Sequence, residues 1–259
     1  MSETAILEVQ ALIKSFGGVK AVNDCTFSVA AGSVVGLIGP NGAGKSTTID
    51  MVSGFGRPDS GLVRFDDQEV VNRAPHLISR LGLIRTFQAP REWGSLTVLD
   101  NVMLGMRAFG RESIIRNLLT GRRVRRGEQA DRVRVEEILE RFNLSSLTYA
   151  RAETLSGGQK RLVEFARVAA AEPRLVILDE PMGGVNPVLG ERMSQAIKSF
   201  VAHGSTVVIV EHNMKFIEET CDEVVVMDLG HVIAQGHYSS LRDDERVVSA
   251  YLGSADDHV

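Results

Sequence analysis

The 259 residues point to an α/β fold built on a largely parallel sheet. Short apolar runs of strand length alternate with stretches of helical period along much of the chain. Several of those runs are continuously apolar, as strands covered on both faces are. One of them leads straight into a glycine-rich loop followed by a helix pattern. In order, strand-like runs are expected at 6–13, 25–29, 34–38, 175–178, 206–210 and 224–227. A run at 231–234, after Gly230, reads as the return strand of a hairpin. Helical periodicity is expected at 45–53, 160–171, 188–202 and 214–220. The stretch 99–147 shows no convincing strand and is rich in Leu, Ile, Arg and Glu, so it reads as a helical insertion.

Composition narrows the function classes. The chain carries 29 Lys+Arg against 33 Asp+Glu, a formal charge of −4, which excludes a generally basic nucleic-acid coat but not a local basic stripe. Such a stripe exists. Nine arginines between 107 and 134 stand against only Glu112, Glu128 and Asp131, a local charge of +6. Three readings are open: a solvated helical face, contact with an acidic membrane surface or the cytoplasmic face of a membrane partner, or RNA binding. The last is weakened because 116–140 has no aromatic residue to stack on bases. Cys25 and Cys221 lie far apart with no CxxC spacing, so two buried thiols in a reducing compartment are expected rather than a disulfide framework or zinc site. The first residues lack a basic segment followed by an apolar core, and no apolar run approaches the ~18 residues of a membrane span. A cytoplasmic protein is expected.

The strongest chemical signal is Gly39-Pro40-Asn41-Gly42-Ala43-Gly44-Lys45-Ser46-Thr47, which fits G-x-x-x-x-G-K-[ST] between an apolar strand and a helix. Its glycines let the backbone curl so that N–H groups converge on phosphate oxygens, and the helix adds its positive end. Lys45 has the reach for β/γ-phosphates, and Ser46 offers a hydroxyl to Mg²⁺. The second signal is the aliphatic run 175–178 ending in Asp179-Glu180-Pro181. At the carboxyl edge of a parallel sheet, Asp179 is placed to hold Mg²⁺ and Glu180 to act as general base on an attacking water. The third is Leu155-Ser156-Gly157-Gly158-Gln159, opening a helix 24 residues before the Asp-Glu pair. Ser156 is a good N-cap, and the two glycines leave the first turn bare for a second anion contact.

With these motifs in place the chain resembles the ATP-binding subunit of ABC transporters, over roughly 6–253, Leu155–Gln159 matching that family's signature. The resemblance implies a P-loop NTPase sheet core with an inserted helical subdomain and a small antiparallel β part. It implies one domain over 1–259, its core at about 1–90 and 160–259 and the insertion at about 91–159. It also implies ATP and Mg²⁺ as ligands. Gln88, in Thr86-Phe87-Gln88, corresponds to the glutamine that touches Mg²⁺ or water and reports to the membrane partner. His212 corresponds to the switch histidine at the γ-phosphate, and Phe16 to the aromatic that stacks on adenine. Trp93 falls in the loop that in this family faces the membrane subunit, though packing within its own domain is an equal alternative. The partners implied are transmembrane permease subunits, a second ATP-binding subunit, identical or not, and indirectly a solute-binding protein; nucleic acid is not expected. The place implied is the inner face of the cell membrane.

One position departs from the family: Asn186 stands where most members have Asp. Asn186-Pro187, Arg85-Thr86-Phe87-Gln88, the Arg-rich insertion and the tail Val247-Val248-Ser249-Ala250-Tyr251-Leu252-Gly253 resemble the subfamily serving branched-chain amino-acid-type importers, whose relatives also carry urea and short amides. An exporter's ATPase and a non-transport ABC protein are the alternatives.

Overall fold

The computed structural model describes residues 5–86, 93–107, 121–183 and 187–253. The chain opens with β1 (Ala5–Phe16), β2 (Val19–Ala30), β3 (Val34–Ile38), α1 (Lys45–Val52), β4 (Ser60–Phe65), β5 (Gln68–Glu69), α2 (Pro75–Arg80) and β6 (Leu83–Arg85). Four helices follow among the described residues, α3 (Val98–Arg107), α4 (Gly121–Arg141), α5 (Gly157–Ala170) and, after β7 (Leu175–Asp179), α6 (Pro187–Ala202). The chain continues through β8 (Thr206–Val210), α7 (Met214–Thr220), β9 (Glu223–Asp228), β10 (His231–Gly236), α8 (Tyr238–Leu241) and α9 (Glu245–Gly253). Contacts divide it into two compact units, one of residues 1–85, 174–183 and 201–259, the other of residues 86–173 and 184–200.

The first unit holds both sheets. Its main sheet has six strands in the order β10-β9-β3-β8-β7-β6, and every pair except β9–β10 is parallel. Every residue of β3, β7 and β8 is buried, which is why these segments read as continuous apolar runs. One face of the sheet shares a core with α1 and with the second sheet: Val35, Leu37, Ile177, Val208, Val210 and Val225 join Ile49 and Val52 and the inward residues of β1, β2 and β4. Each such side chain contributes roughly 1.5–3 kcal/mol when fully buried. On the other face α7 comes so close that a Cβ at Gly36 would lie 3.0 Å from the Ile217 side chain and 3.2 Å from Cys221 Sγ. The second sheet, β2-β1-β4-β5, is antiparallel. Its first hairpin turns through Gly17 and Gly18, both at positive φ, as a tight two-residue hairpin turn requires.

Among its described residues the second unit is helical apart from an isolated bridge between Thr97 and Arg151. α3 and α5 approach closely at Gly105, where a Cβ would stand 2.1 Å from the Arg167 carbonyl oxygen. Phe200 packs edge-on to Phe142, with centroids 5.9 Å apart, and tilted against Phe165 at 6.0 Å.

The strand-like runs expected at 34–38 and 206–210 match β3 and β8 to the residue. β4 and β6 were not expected. β4 buries only Val63 and Phe65, and β6 is three residues long, so neither leaves a periodic signal. β1 and β2 run past the expected 6–13 and 25–29 to the hairpin turn, through residues that are largely exposed or half-buried. Cys25 is buried as expected, but Cys221 is only half-buried; burial pushes both thiols up to about 12. No helix among the described residues is long and apolar enough to cross a membrane.

Candidate functional site

The register of the parallel strands assembles the site. Leu37 of β3 and Asp179 of β7 both pair with Val210 of β8, so these three strands end on one line at the carboxyl edge of the sheet. Past that edge lie Gly39–Thr47, then Glu180, then Glu211 and His212. This is where an open α/β sheet receives its ligands.

The loop is shaped by what its glycines avoid. Gly39 and Gly44 take φ of +149° and +97°, and a Cβ would stand 2.1 Å from the Met227 carbonyl oxygen at the first and 2.4 Å from the Ala21 carbonyl oxygen at the second. Both neighbours are backbone. Only glycine fits there. No side chain caps α1, whose N-cap is Gly44, so the first N–H groups of the helix stay available to an anion. Lys45 Nζ donates to the Gly39 and Pro40 carbonyl oxygens at 2.7 and 2.9 Å. Burial lowers the Lys45 ammonium below its ordinary value, and the nearby Glu180 carboxylate works against that shift. Asn41, Gly42 and Ser46 are exposed, Thr47 is half-buried and Ala43 is buried. The Ala43 carbonyl accepts from Gly230 at 3.1 Å, which ties the loop to the β9–β10 turn.

Asp179 is a buried carboxylate at the last position of β7. Its Oδ2 accepts from Arg85 Nη2 at 2.9 Å, while Arg85 Nη1 donates to Asp50 Oδ1 of α1 at 2.5 Å and to Ser53 Oγ at 3.2 Å. Glu180, half-buried, takes φ of +46°, a conformation worth about 1–3 kcal/mol of strain in a residue other than glycine and typical of functional turns. Its N–H donates to the Val210 carbonyl at 2.9 Å, and its carbonyl accepts from Gly183 at 3.1 Å. Glu211, whose side chain is fully buried, accepts from the N–H groups of Met182 at 2.7 Å, His212 at 2.9 Å and Asn213 at 3.2 Å. One carboxylate thereby pins the turn after Glu180 to the turn that carries His212. The His212 ring is exposed, with Nδ1 3.8 Å from Glu211 Oε2.

Phe16 sits at the end of β1, 57% exposed, with Lys14 Nζ 5.4 Å from its ring centroid. Its cross-strand partner Val19 is two residues before Ala21, whose carbonyl lies against Gly44. The hairpin that presents this aromatic therefore runs beside the phosphate loop.

The signature belongs to the second unit. Ser156 caps α5 in a full capping box: its Oγ accepts from Gln159 N at 3.3 Å, and Gln159 Oε1 accepts from Ser156 N at 2.9 Å. Gly157 faces open space. Gly158 does not. A Cβ there would come within 2.2 Å of the Leu189 side chain, so of the two glycines expected to be bare only the first is. Trp93, in the same unit, is 54% exposed, with Arg167 5.3 Å above its ring and its backbone N–H and carbonyl both bonded to the Asn101 side chain.

Gln88 and Asn186 lie outside the described residues. Two residues of the site escaped the sequence reading. Arg85 appeared there only as part of a tetrapeptide, and Glu211 was given no role. The available signal for Glu211 was a carboxylate directly after a fully buried strand, close to the pattern that exposed Asp179.

Comparison with known proteins agrees with this geometry. Residues 22–183 match the family model described as ABC transporter. The chain is 39% identical to the probable branched-chain amino acid transport ATP-binding protein LivG of Archaeoglobus fulgidus, over 98% of each chain. It is 36% identical to the high-affinity branched-chain amino acid transport ATP-binding protein BraF of Pseudomonas aeruginosa, over 96% of this chain and 98% of that one. Among solved structures, the ADP conformation of MJ1267, an ATP-binding cassette of an ABC transporter, superposes with a TM-score of 0.82 at 33% identity, covering 96% of this chain and 99% of that one. A phosphate loop, a paired carboxylate edge and a capped signature helix in one chain, with likeness along its whole length, lead to one conclusion: the chain belongs to the ABC transporter family and is an ATP-binding, ATP-hydrolysing subunit.

Proposed function

We propose that this subunit powers uptake of branched-chain amino acids, or of related small solutes such as urea or amides, through membrane permease subunits at the inner face of the cell membrane. The chain would work as a head-to-tail pair with a second ATP-binding subunit, identical or not, and indirectly with a solute-binding protein. The observation that carries the chemistry is the common edge at which β3, β7 and β8 end, which gathers Lys45, Asp179, Glu180 and His212. What supports the solute class is full-length likeness to relatives named for branched-chain amino acid transport.

In this reading Gly39–Thr47 wraps the phosphates with backbone N–H groups, and Phe16 stacks on the adenine. Lys45 exchanges its two carbonyl acceptors for phosphate oxygens, which as ionised acceptors bind an ammonium more strongly. Ser46, Asp179 and Gln88 offer hard oxygen atoms on an otherwise sparse protein donor set, which suits Mg²⁺ held largely by phosphate and water. Bound there, Mg²⁺ neutralises charge on the phosphate oxygens. Glu180, held in its left-handed turn conformation past the end of β7, takes the proton of the attacking water. His212 contacts the γ-phosphate on a turn fixed by Glu211. Ser156, Gly157, Gly158 and Gln159 present the α5 start to the nucleotide of the other subunit, so hydrolysis is tied to closure of the pair. Trp93, on an exposed ring, meets the membrane subunit.

The test is transport in vesicles containing this chain and the membrane subunits that co-purify with it. Leucine, isoleucine and valine should be taken up with ATP hydrolysis. Glu180→Gln should lower hydrolysis on the order of 10²-fold or more and stop uptake, while ATP binding persists. Near-normal turnover in that variant would move the base elsewhere, and preference for urea or an amide would replace the solute.

A further inference from the structure

We propose that Arg85 positions the metal-holding carboxylate, fixing Asp179 of β7 at a set distance from the helix that carries Ser46; the proposal rests on the reading of Asp179 and Ser46 as the Mg²⁺ ligands. Strand register creates the juxtaposition. Arg85 pairs with Ile177, two residues before Asp179, so all three side chains stand on one face of the sheet. That face packs on α1. The guanidinium then spans two elements with its two ends: Nη2 on Asp179 Oδ2 at 2.9 Å, and Nη1 on Asp50 Oδ1 at 2.5 Å and Ser53 Oγ at 3.2 Å. The Phe55 ring lies 5.9 Å from the guanidinium carbon. Asp50 is four residues beyond Ser46, one helical turn along α1. By holding Asp50 and Asp179 together, Arg85 sets the gap between the helix of one proposed ligand and the strand of the other.

The exposures show what the pairing is for. The side chains of Arg85 and Asp179 are 8% and 9% exposed, so the two charges meet away from bulk water, where removing one partner of a pair is costly. Asp50 is 46% exposed and would be solvated without help. A planar fork reaches two separate carboxylates with its two ends; a lysine ammonium at the same place is a point charge on a flexible stem and cannot hold both at a set separation. A ligating carboxylate whose orientation is already fixed reorganises little when the metal arrives, and outer groups of this kind govern metal affinity.

The experiment measures how much Mg²⁺ strengthens binding of a fluorescent ATP analogue to the full chain, as the ratio of affinities with Mg²⁺ and with EDTA. Arg85→Lys and Arg85→Gln should lower that ratio by about 10-fold while affinity in EDTA changes little, because the phosphate loop is untouched. Asp50→Asn, which releases only the half-exposed anchor, should lower it by about 3-fold. Circular dichroism and thermal melts establish that each variant is folded, and the half-exposed Asp50 site carries the test should both Arg85 variants fail to fold. An unchanged ratio in folded Arg85 variants, or in Asp50→Asn where these do not fold, overturns the proposal. Asp179→Asn separates the two layers. If it abolishes the Mg²⁺ gain while the Arg85 variants keep theirs, only the role of Arg85 is wrong. If Asp179→Asn keeps the gain, the metal reading of Asp179 falls and this proposal with it.

Discussion

The helix starts at Lys45 and at Gly157 both offer backbone N–H groups to an anion, and they are made in different ways. At α1 the N-cap is a glycine in left-handed conformation with no side-chain cap, and the preceding loop threads between fixed backbone carbonyls. At α5 the N-cap is a serine in extended conformation, and a reciprocal box satisfies the Gln159 N–H before any ligand arrives. With Lys160 N bonded to Ser156 O at 2.9 Å, the N–H groups left at that start are those of Gly157 and Gly158. The first start is a cradle whose shape depends on lacking Cβ atoms. The second is an ordinary capped helix with one open face. Glycine therefore differs between these motifs: it is required by conformation and close backbone contact at 39 and 44, and it stands in open space at 157.

Alanine substitutions should therefore separate the two starts sharply. Gly39→Ala and Gly44→Ala each drive a methyl group into a backbone carbonyl and impose a left-handed conformation on an L-residue. The conformation alone costs about 1–3 kcal/mol. Calorimetry should show no ATP binding by either variant. Gly42→Ala, at φ of +81° but with nothing within 4 Å, should cost about 1 kcal/mol and retain weakened binding. Gly157→Ala should bind ATP as the parent does, since nothing lies within 4 Å of its Cβ. Equal losses at 39 and 157 would erase the distinction.

The next largest effect uses the two starts against each other. Lys45→Ala damages the cradle, and Gly157→Asp places a carboxylate on the open face of α5. Position 157 suits this better than 158, where the new side chain would strike Leu189 and confuse folding with function. An acidic residue in the first turn also complements the helix dipole, so Gly157→Asp should fold. Each variant alone should be nearly inactive. Mixed head-to-tail pairs collect both lesions in one site and leave the other whole. Random pairing makes about half the pairs mixed, so hydrolysis could recover to about a quarter of normal where sites act independently. ATP-dependent formation of the mixed pair should be measured beside it. Neither activity nor mixed pair, with both variants folded, would refute the composite site.

The difference between the starts also explains what could be read from residues alone. The cradle is local: nine consecutive residues, a strand before and a helix after, so spacing alone located it. The carboxylate pair was legible for the same reason, as charge ending an apolar run. Arg85 was not, because its role depends on two carboxylates, 35 residues before and 94 residues after it, brought together by the pairing of β6 with β7. Glu211 was missed because its three partners are backbone N–H groups, which carry no side-chain signature. The sheet core was legible where burial on both faces makes runs apolar, and illegible at β4, which buries two residues, and β6, which has only three. At the signature, Ser-x-x-Gln announced its cap, but the crowding of Gly158 comes from Leu189, which sequence spacing does not connect to it.

The smallest expected effect bears on whether the serine at the second start does more than cap. Ser156→Ala removes the oxygen that accepts from Gln159 N at 3.3 Å, while the return bond from Ser156 N to Gln159 Oε1 at 2.9 Å remains possible. Gln159→Ala removes the return bond and keeps the first. Loss of a capping hydroxyl costs about 1 kcal/mol. Here the low side of that range applies, because Ser156 is exposed and water can replace the lost acceptor. Amide exchange in the first turn of α5 should quicken in both variants, and chemical denaturation should show similar small losses. Hydrolysis then discriminates. If Ser156 only caps, the two variants lose activity equally. If its hydroxyl also meets phosphate from the other subunit, Ser156→Ala should lose more hydrolysis than Gln159→Ala at matched stability. The alanine at 156 leaves the Gly157 and Gly158 N–H groups in place, so some activity should survive it. Complete loss in Ser156→Ala with the helix still formed would show that the hydroxyl, rather than the helix start, is the principal phosphate contact of α5.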